Sequence, residues 1–409
     1  MAYDFGRTSL PEPFVPQPFR LKAKATGSRA KAKPGFEFDN RPTLRLGESF
    51  RIGLRARLQG DARDRSQAFT RDESAFELAK RRIGIQGELF NRISFELERE
   101  IASNHPWRDV FGDVKILKSL QVQIGRFKMP FSAEQLTSIV ELPFIERSLV
   151  ASILAPGRDT GIMMHGRAGG RRLGYQIGLF RQDGDAARRG SPEGAGQTVA
   201  GRLTTSAGVK HLSLGVGATS GWVPEGLNGL PGRTSDGFRF FEPVYVKGRR
   251  LRVGAEAGWH HDRYQVDAEW LQLRDERRGQ GLGDLDLSDA VAKGWYVSGA
   301  GFVYRGTRRP SGRRPFFDRG TGDFELAARI EQIDFGSAGH GDLPFRQPRA
   351  EHLFESRVRA ATLGVNWHLN RWVKMLSDLS RESFSYPERR PHTNRDHEWR
   401  WAIRLQWAM

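Results

Sequence analysis

Cysteine is absent from the 409-residue chain, which excludes disulfides, thiolate nucleophiles and cysteine-held metal sites in one step. No run of residues approaches the about 18 consecutive apolar positions that a membrane helix requires. If the chain spans a membrane it must therefore do so as a closed barrel, the other architecture that satisfies every backbone polar group in hydrocarbon. The ten histidines show no His-x-x-x-His or comparable ligand spacing, and the pair His260–His261 reads as a turn. Gly169–Gly170 lacks a phosphate-loop pattern and reads as a turn as well. Neither catalysis nor a resident cofactor or metal is expected. The chain begins Met1-Ala2-Tyr3-Asp4-Phe5 without a basic segment followed by an apolar one. A signal peptide is thus expected to have been trimmed, misassigned or never present, and this is the main argument against export.

What is present fits a barrel with water inside. Forty-seven glycines and 11% aromatics coexist with a mean hydropathy of -0.56, as expected where alternate residues of every strand face an aqueous lumen and long loops add polar surface. Sixty-five basic residues against 48 acidic ones leave a net charge of +17. On a soluble protein that excess would point to nucleic acid, so the placement of the charges decides.

The C-terminal segment alternates clearly. Trp399, Trp401, Ile403, Leu405, Trp407 and Met409 share one face, and Arg400, Ala402, Arg404, Gln406 and Ala408 the other. Such a period of two describes a strand with one apolar face, and its aromatics suit a membrane interface. Phe50, Ile52, Leu54, Ala56 and Leu58 oppose Arg51, Gly53, Arg55, Arg57 and Gln59 in the same way. With segments around 82–89, 93–98, 107–116, 120–126, 158–167, 172–181, 198–204, 211–221, 250–259, 263–274, 292–304, 323–334, 357–369 and 372–381, the pattern predicts 16 strands. That is an even number, as bacterial barrels have.

Short links alternate with long, glycine- and charge-rich ones near 60–75, 126–157, 182–197, 222–249, 275–291, 335–356 and 382–396, which places turns at one rim and loops at the other. The link from Arg305 to Gly322 breaks this parity, either through an extended turn or through an error in the strand count. Residues 1–40, rich in proline, are expected to form a periplasmic, partly disordered lead-in, and residues 41–409 the barrel.

Gly125-Arg126-Phe127-Lys128-Met129-Pro130-Phe131, Phe144-Ile145-Glu146-Arg147-Ser148-Leu149 and Ala155-Pro156-Gly157-Arg158-Asp159-Thr160-Gly161 closely resemble the third-loop region of the phosphate-selective porin O and P family. Gly53 to Asp61, Gly294-Trp295-Tyr296-Val297-Ser298, Phe324 to Arg329, Thr362 to Trp367 and the ending Arg404-Leu405-Gln406-Trp407 extend the resemblance over residues 36–409. The chain departs from the usual aromatic terminus of such barrels in ending on Met409. The resemblance implies an all-β, 16-stranded antiparallel transmembrane β-barrel with an inward-folded third loop. It further implies a trimeric, anion-selective porin in a Gram-negative outer membrane, surrounded by lipid and passing phosphate or other small anions.

Arginine suits oxyanion conduction because its planar fork grips oxygen pairs and keeps its charge. Strand parity turns Arg51, Arg55, Arg57, Arg82, Arg202, Arg250, Arg252, Arg329, Arg400 and Arg404 into the lumen. At mid-membrane on the lipid side each would cost about 2–4 kcal/mol. Some of these arginines would serve as scaffolding paired with Glu96, Glu98, Glu100, Asp267, Glu269, Glu325 or Glu331, and Arg329 beside Glu331 reads that way. The inward loop implied by the resemblance makes Lys128 and Arg147 the constriction candidates, flanked by Arg126 and Arg158, with Asp109 as an acceptor for a proton-bearing oxyanion. In the plainer alternative, Glu146 and Asp159 neutralise Arg147 and Arg158. Competing functions are uptake of pyrophosphate, organophosphate or another anionic nutrient, a soluble basic β-protein binding nucleic acid, and a plugged barrel acting as an enzyme or anchor.

Overall fold

A computed structural model describes residues 35–38, 41–47, 49–64, 76–101, 107–169, 172–184, 196–206, 211–230, 232–234, 240–241, 243–306, 322–338, 349–353, 355–385 and 397–409. A short hairpin, β1 (Gly35–Phe38) and β2 (Pro42–Leu46), precedes sixteen longer strands. These are β3 (Phe50–Arg63), β4 (Phe76–Leu89), β5 (Ile93–Glu100), β6 (Trp107–Lys115), β7 (Gln121–Lys128), β8 (Arg158–Ala168), β9 (Leu173–Phe180), β10 (Thr198–Ser206), β11 (Leu212–Leu227), β12 (Tyr245–His261), β13 (Tyr264–Arg277), β14 (Leu287–Arg305), β15 (Asp323–Ser337), β16 (Ser356–His368), β17 (Val373–Ser385) and β18 (His397–Ala408). Each pairs antiparallel with its sequence neighbours, and β18 closes on β3 to make a 16-stranded barrel. All sixteen predicted strands are present, and β14 pairs with β15 across the long link. The strand count therefore stands at that point; residues 307–321 of the link lie outside the described residues.

Closure is shared between the two ends of the chain. β18 covers β3 from Arg63 down to Arg57, Met409 exchanges backbone hydrogen bonds with Ala56, and β2 takes over from Gly53 to Phe50. The seam is thereby paired nearly throughout, leaving no long edge to recruit another chain. Sequence alternation misses this hairpin, and β1 falls inside the segment expected to be a partly disordered lead-in. Strands of four and five residues contain too few alternations for a period to stand out. Residues 1–34 and 39–40, the rest of that lead-in, lie outside the described residues.

The outer wall carries the apolar half of each alternation. Leu363 is 62% exposed, Ile124 56%, Val216 55% and Ile330 54%. Large aliphatic side chains in such rows belong against hydrocarbon rather than water. No helix among the described residues is long and apolar enough to cross a membrane.

The wall is of uneven height. β5, β6, β7, β9 and β10 have eight or nine residues, whereas β12 has 17, β14 has 19 and β15 has 15. Inside the tall side lies the main apolar core, where Leu271, Leu273, Ala292, Ile333 and Val358 of the wall pack on residues of the long connection between β7 and β8. A barrel lumen filled on one side leaves the passage on the other, and this asymmetry positions the candidate site.

Candidate pore constriction

The connection 129–157 contains two short helices, α1 (Ala133–Leu136) and α2 (Leu149–Leu154). Each starts where a serine side chain takes up an orphan amide: Ser132 Oγ accepts from Gln135 N (3.2 Å) and Ser148 Oγ from Ala151 N (3.0 Å). The loop then lies against inward-facing side chains of the tall wall. Glu269 accepts from Glu134 N at 2.6 Å, Glu331 from Leu149 N at 2.5 Å and Asp378 from Ile145 N at 2.7 Å. Donors come the other way: Asn366 to Pro143 O (2.8 Å), Lys374 to Leu142 O (2.9 Å), Arg404 to Ile145 O (2.5 Å) and Arg252 to Leu154 O (3.0 Å). Two glycines make the close approach possible. A Cβ at Gly217 would meet Phe131 O at 2.7 Å, and one at Gly294 would stand 3.0 Å from Val150.

Parity assigns every predicted lumenal arginine to the inner face, and most engage a carboxylate there. Arg55 pairs with Glu96, Arg57 with Glu98 at 3.3 Å, and Arg82 with Glu98 and Glu100 at 3.2 and 2.7 Å. Arg202 pairs with Glu256, Arg250 with Asp275 (2.5 Å) and Asp183 (2.6 Å), and Arg404 with Asp61 (2.6 Å). Arg252 reaches Asp183 at 3.8 Å, and Arg400 reaches Ser380 Oγ at 3.5 Å. Arg329 sits 3.2 Å from Glu331 and donates to Glu146 O at 3.1 Å, so its neighbours are loop and wall, as the scaffolding reading of this pair expects. Arg51, half-buried on the same strand face, stands across from Glu88.

The constriction candidates gather on the open side, facing β3–β6. Lys128 Nζ donates to Leu136 O (3.0 Å) and Thr137 O (2.9 Å), and Arg147 to Glu134 O (3.0 Å) and Thr137 O (2.6 Å). Both side chains thus hold the carbonyl end of α1. Arg158 grips Asp109 with two hydrogen bonds, 3.0 and 2.7 Å. Lys128 lies within electrostatic reach of Arg147, Arg158, Asp109 and Arg57. Arg126, at the edge of the group, donates to Trp107 O at 3.2 Å.

The plainer pairing expected from sequence differs in detail. Asp159 accepts from the backbone of Thr160 and Gln182, Arg158 is taken by Asp109, and Glu146 pairs with Arg63 at 2.8 Å. Sequence neighbours diverge here because the chain turns inward between them.

Two cations escape a parity reading. Arg108 adjoins Asp109, and strict alternation would send them to opposite faces. The register slips between Leu97 and Arg99 of β5, and such a bulge re-aims side chains. As a result, Trp107 stays outside under Arg99 (5.6 Å), while Arg108 comes within reach of Arg82, Glu100 and Arg158. Arg41 enters from the turn before β2, lying under Gly53 near Arg55 and Glu96. In this patch eight cations (Arg41, Arg55, Arg57, Arg82, Arg108, Lys128, Arg147, Arg158) meet four carboxylates (Glu96, Glu98, Glu100, Asp109). Within this group the cations outnumber the carboxylates two to one.

With basic groups turned inward and an apolar band outside, the soluble nucleic-acid-binding reading finds no support. No group of histidines and carboxylates among the described residues could hold a metal ion.

The fold is similar to several solved outer-membrane structures. OmpT of Vibrio cholerae matches with a TM-score of 0.57 at 8% identity, over 88% of this chain and 98% of that one, and a trimer form of it matches with 0.55. The channel DcaP of Acinetobacter baumannii gives 0.57 at 9% identity, over 88% and 98%. An anion-selective porin from Comamonas acidovorans gives 0.52 at 11% identity, over 88% and 100%. No curated protein sequence matches. The family model for phosphate-selective porin O and P matches residues 52–408, nearly the whole barrel, and the chain accordingly belongs to this family of channels as a porin of the Gram-negative outer membrane.

Proposed function

We propose that the barrel passes phosphate and related small anions by passive diffusion, with the passage between residues 129–157 and strands β3–β6 as its narrowest part. The observation that carries this reading is the excess of eight cations over four carboxylates there. Conduction needs attraction without a trap. Guanidinium groups already shared with Glu96, Glu98, Glu100 and Asp109 attract an oxyanion while leaving it competing partners, so it binds and leaves. Arg147 supplies charge from the loop, Lys128 from the end of β7, Arg57 and Arg108 from β3 and β6, and Arg158 with Asp109 offers both a donor fork and an acceptor for a protonated oxyanion.

With chloride as the current carrier, added phosphate is expected to lower single-channel current at a half-blocking concentration about tenfold below that of sulfate, a difference of ~1.4 kcal/mol. Stronger block by pyrophosphate or an organophosphate would reassign the substrate. Preference for cations would end the reading.

Three copies of the chain form the working unit in this reading. Strands β5, β7 and β9 have eight residues each, fewer than the about 9–11 that cross a hydrocarbon layer, so the low wall is matched to a neighbouring barrel rather than to lipid. The trimer form among the similar structures agrees with this. Light scattering in mild detergent is expected to count three chains per particle, and a monomer would exclude the arrangement.

A further inference from the structure

The tall wall rises beyond what a bilayer needs, and its excess height carries charge on the outside. Along β16 the outward row reads Val365, Leu363, Ala361 and then Arg359 and Arg357, all exposed. The adjacent strands change character at the same level. Outward on β15, Leu326, Ala328 and Ile330 give way to Gln332 and Asp334. On β17, Met375 and Leu379 give way to Arg381, and β14 presents Lys293. The register makes these residues one patch across four strands: Lys293 faces Asp334, Asp334 faces Arg357, Gln332 faces Arg359, and Arg381 faces Ala361. By contrast, the outward rows of β8–β10 hold Ile162, Met164, Ile177, Leu179, Val199 and Leu203.

Of the carboxylates here, Asp334 is taken by Arg357 and Glu355 lies at the patch's edge beside Gly336. Arg359 Nε donates to neutral Gln332 Oε1 at 2.9 Å, Arg381 lies 5.7 Å from the Trp399 ring centroid, and Lys293 has no ion pair among the described residues. Lys293, Arg359 and Arg381 therefore have no carboxylate partner among the described residues. They sit at the loop end, just above the apolar band, outside the passage that anions traverse.

We propose that this patch binds the phosphate groups of outer-leaflet glycolipid. Cations at the edge of hydrocarbon meet headgroups there, arginine forks match phosphate oxygens, and four strands about 4.8 Å apart give a surface wide enough for more than one phosphate. The assignment rests on the porin reading only in placing lipid against this wall. A second copy would meet like charge here, whereas the low wall offers apolar surface.

The full-length protein and the variant K293Q/R359Q/R381Q, purified in detergent, are to be titrated with bisphosphorylated lipid A and with the same lipid after phosphatase treatment, and bound lipid counted by native mass spectrometry. The wild type is expected to retain lipid A at concentrations at least tenfold lower than the variant does, and to lose that advantage with dephosphorylated lipid. R359K/R381K, which keeps the charge but not the forks, should fall between wild type and the neutral variant. Single-channel conductance of the variant should be unchanged, so that a failure of the pore reading appears separately. Equal retention by wild type and variant overturns the proposal. So does retention of the dephosphorylated lipid by the wild type as tight as its retention of lipid A, or loss of the oligomer in the variant, which would give the face to a second copy.

Discussion

Changing Arg57, Arg108 and Lys128 together to glutamate is expected to convert the channel from anion-preferring to cation-preferring. The patch holds eight cations and four carboxylates, and three reversals turn an excess of four positive charges into an excess of two negative ones. At 0.1 M salt the screening length is about 10 Å, so a permeating ion feels the whole patch at once. Two unit charges 4 Å apart interact by about 4 kcal/mol at an effective dielectric of 20. Even a fraction of that, reversed in sign, moves the anion-to-cation permeability ratio by about one to two orders of magnitude, since each ~1.4 kcal/mol is tenfold. Reversal potentials across a salt gradient measure it directly. The effect should shrink at 1 M salt, where screening shortens to about 3 Å. Heat-modifiable gel migration of the variant establishes that the barrel is intact. A folded variant that still prefers anions would move the selectivity determinant away from this passage.

The choice of these three residues shows what the sequence discloses and what it hides. Arg57 is legible because β3 alternates without interruption from Phe50 to Gln59, so its face follows from counting. Arg108 is not, because one slipped residue opposite Leu97 and Arg99 reverses the count, and a bulge leaves no mark in the pattern of apolar residues. Lys128 is placed by the family's third-loop motif rather than by periodicity. Its actual partners, the carbonyls of Leu136 and Thr137, are the last residue and the C-cap of a helix of four residues, too short to show a helical repeat. The same limit hides β1 and β2. The sixteen strands themselves were readable because hydrocarbon outside and water inside impose opposite demands on alternate residues, a signal repeated in every strand. Arg404 illustrates the boundary: its inward face is plain from the C-terminal alternation. That it would be divided between Asp61 of β3 and the Ile145 carbonyl of the loop depends on closure of the barrel and on an inward fold. Neither contact is local in sequence.

Arg329→Ala is expected to release the constriction loop. Arg329 is 4% exposed, pairs with Glu331 at 3.2 Å and stands 3.6 Å from Glu134. It donates to the Glu146 carbonyl and lies 4.6 Å from the centroid of the Phe144 ring. It is the cation of a buried network in which Glu331 also accepts from Leu149 N, and Glu134 from Ser148 N and Oγ. Its removal leaves two buried carboxylates facing each other without a counter-charge, a loss of about 3–5 kcal/mol concentrated where the loop meets β15. Because the barrel strands are held by their own ladders, the loop should detach before the barrel opens. Open-channel conductance and current noise should rise while heat-modifiable migration persists. Arg329→Met combined with Glu331→Leu removes both charges of the pair, which is often close to neutral, but leaves Glu134 without its counter-charge and Leu149 N without its acceptor, so this double variant should recover part of the quiet, low-conductance state. The apolar contacts of Val150, Ile153 and Leu154 with the tall wall are untouched in both variants and keep the helix α2 end from drifting far. If Arg329→Ala conducts with wild-type amplitude and noise, the ion network is dispensable. The loop would then be held by those apolar contacts and by its hydrogen bonds to Asp378, Asn366 and Arg404.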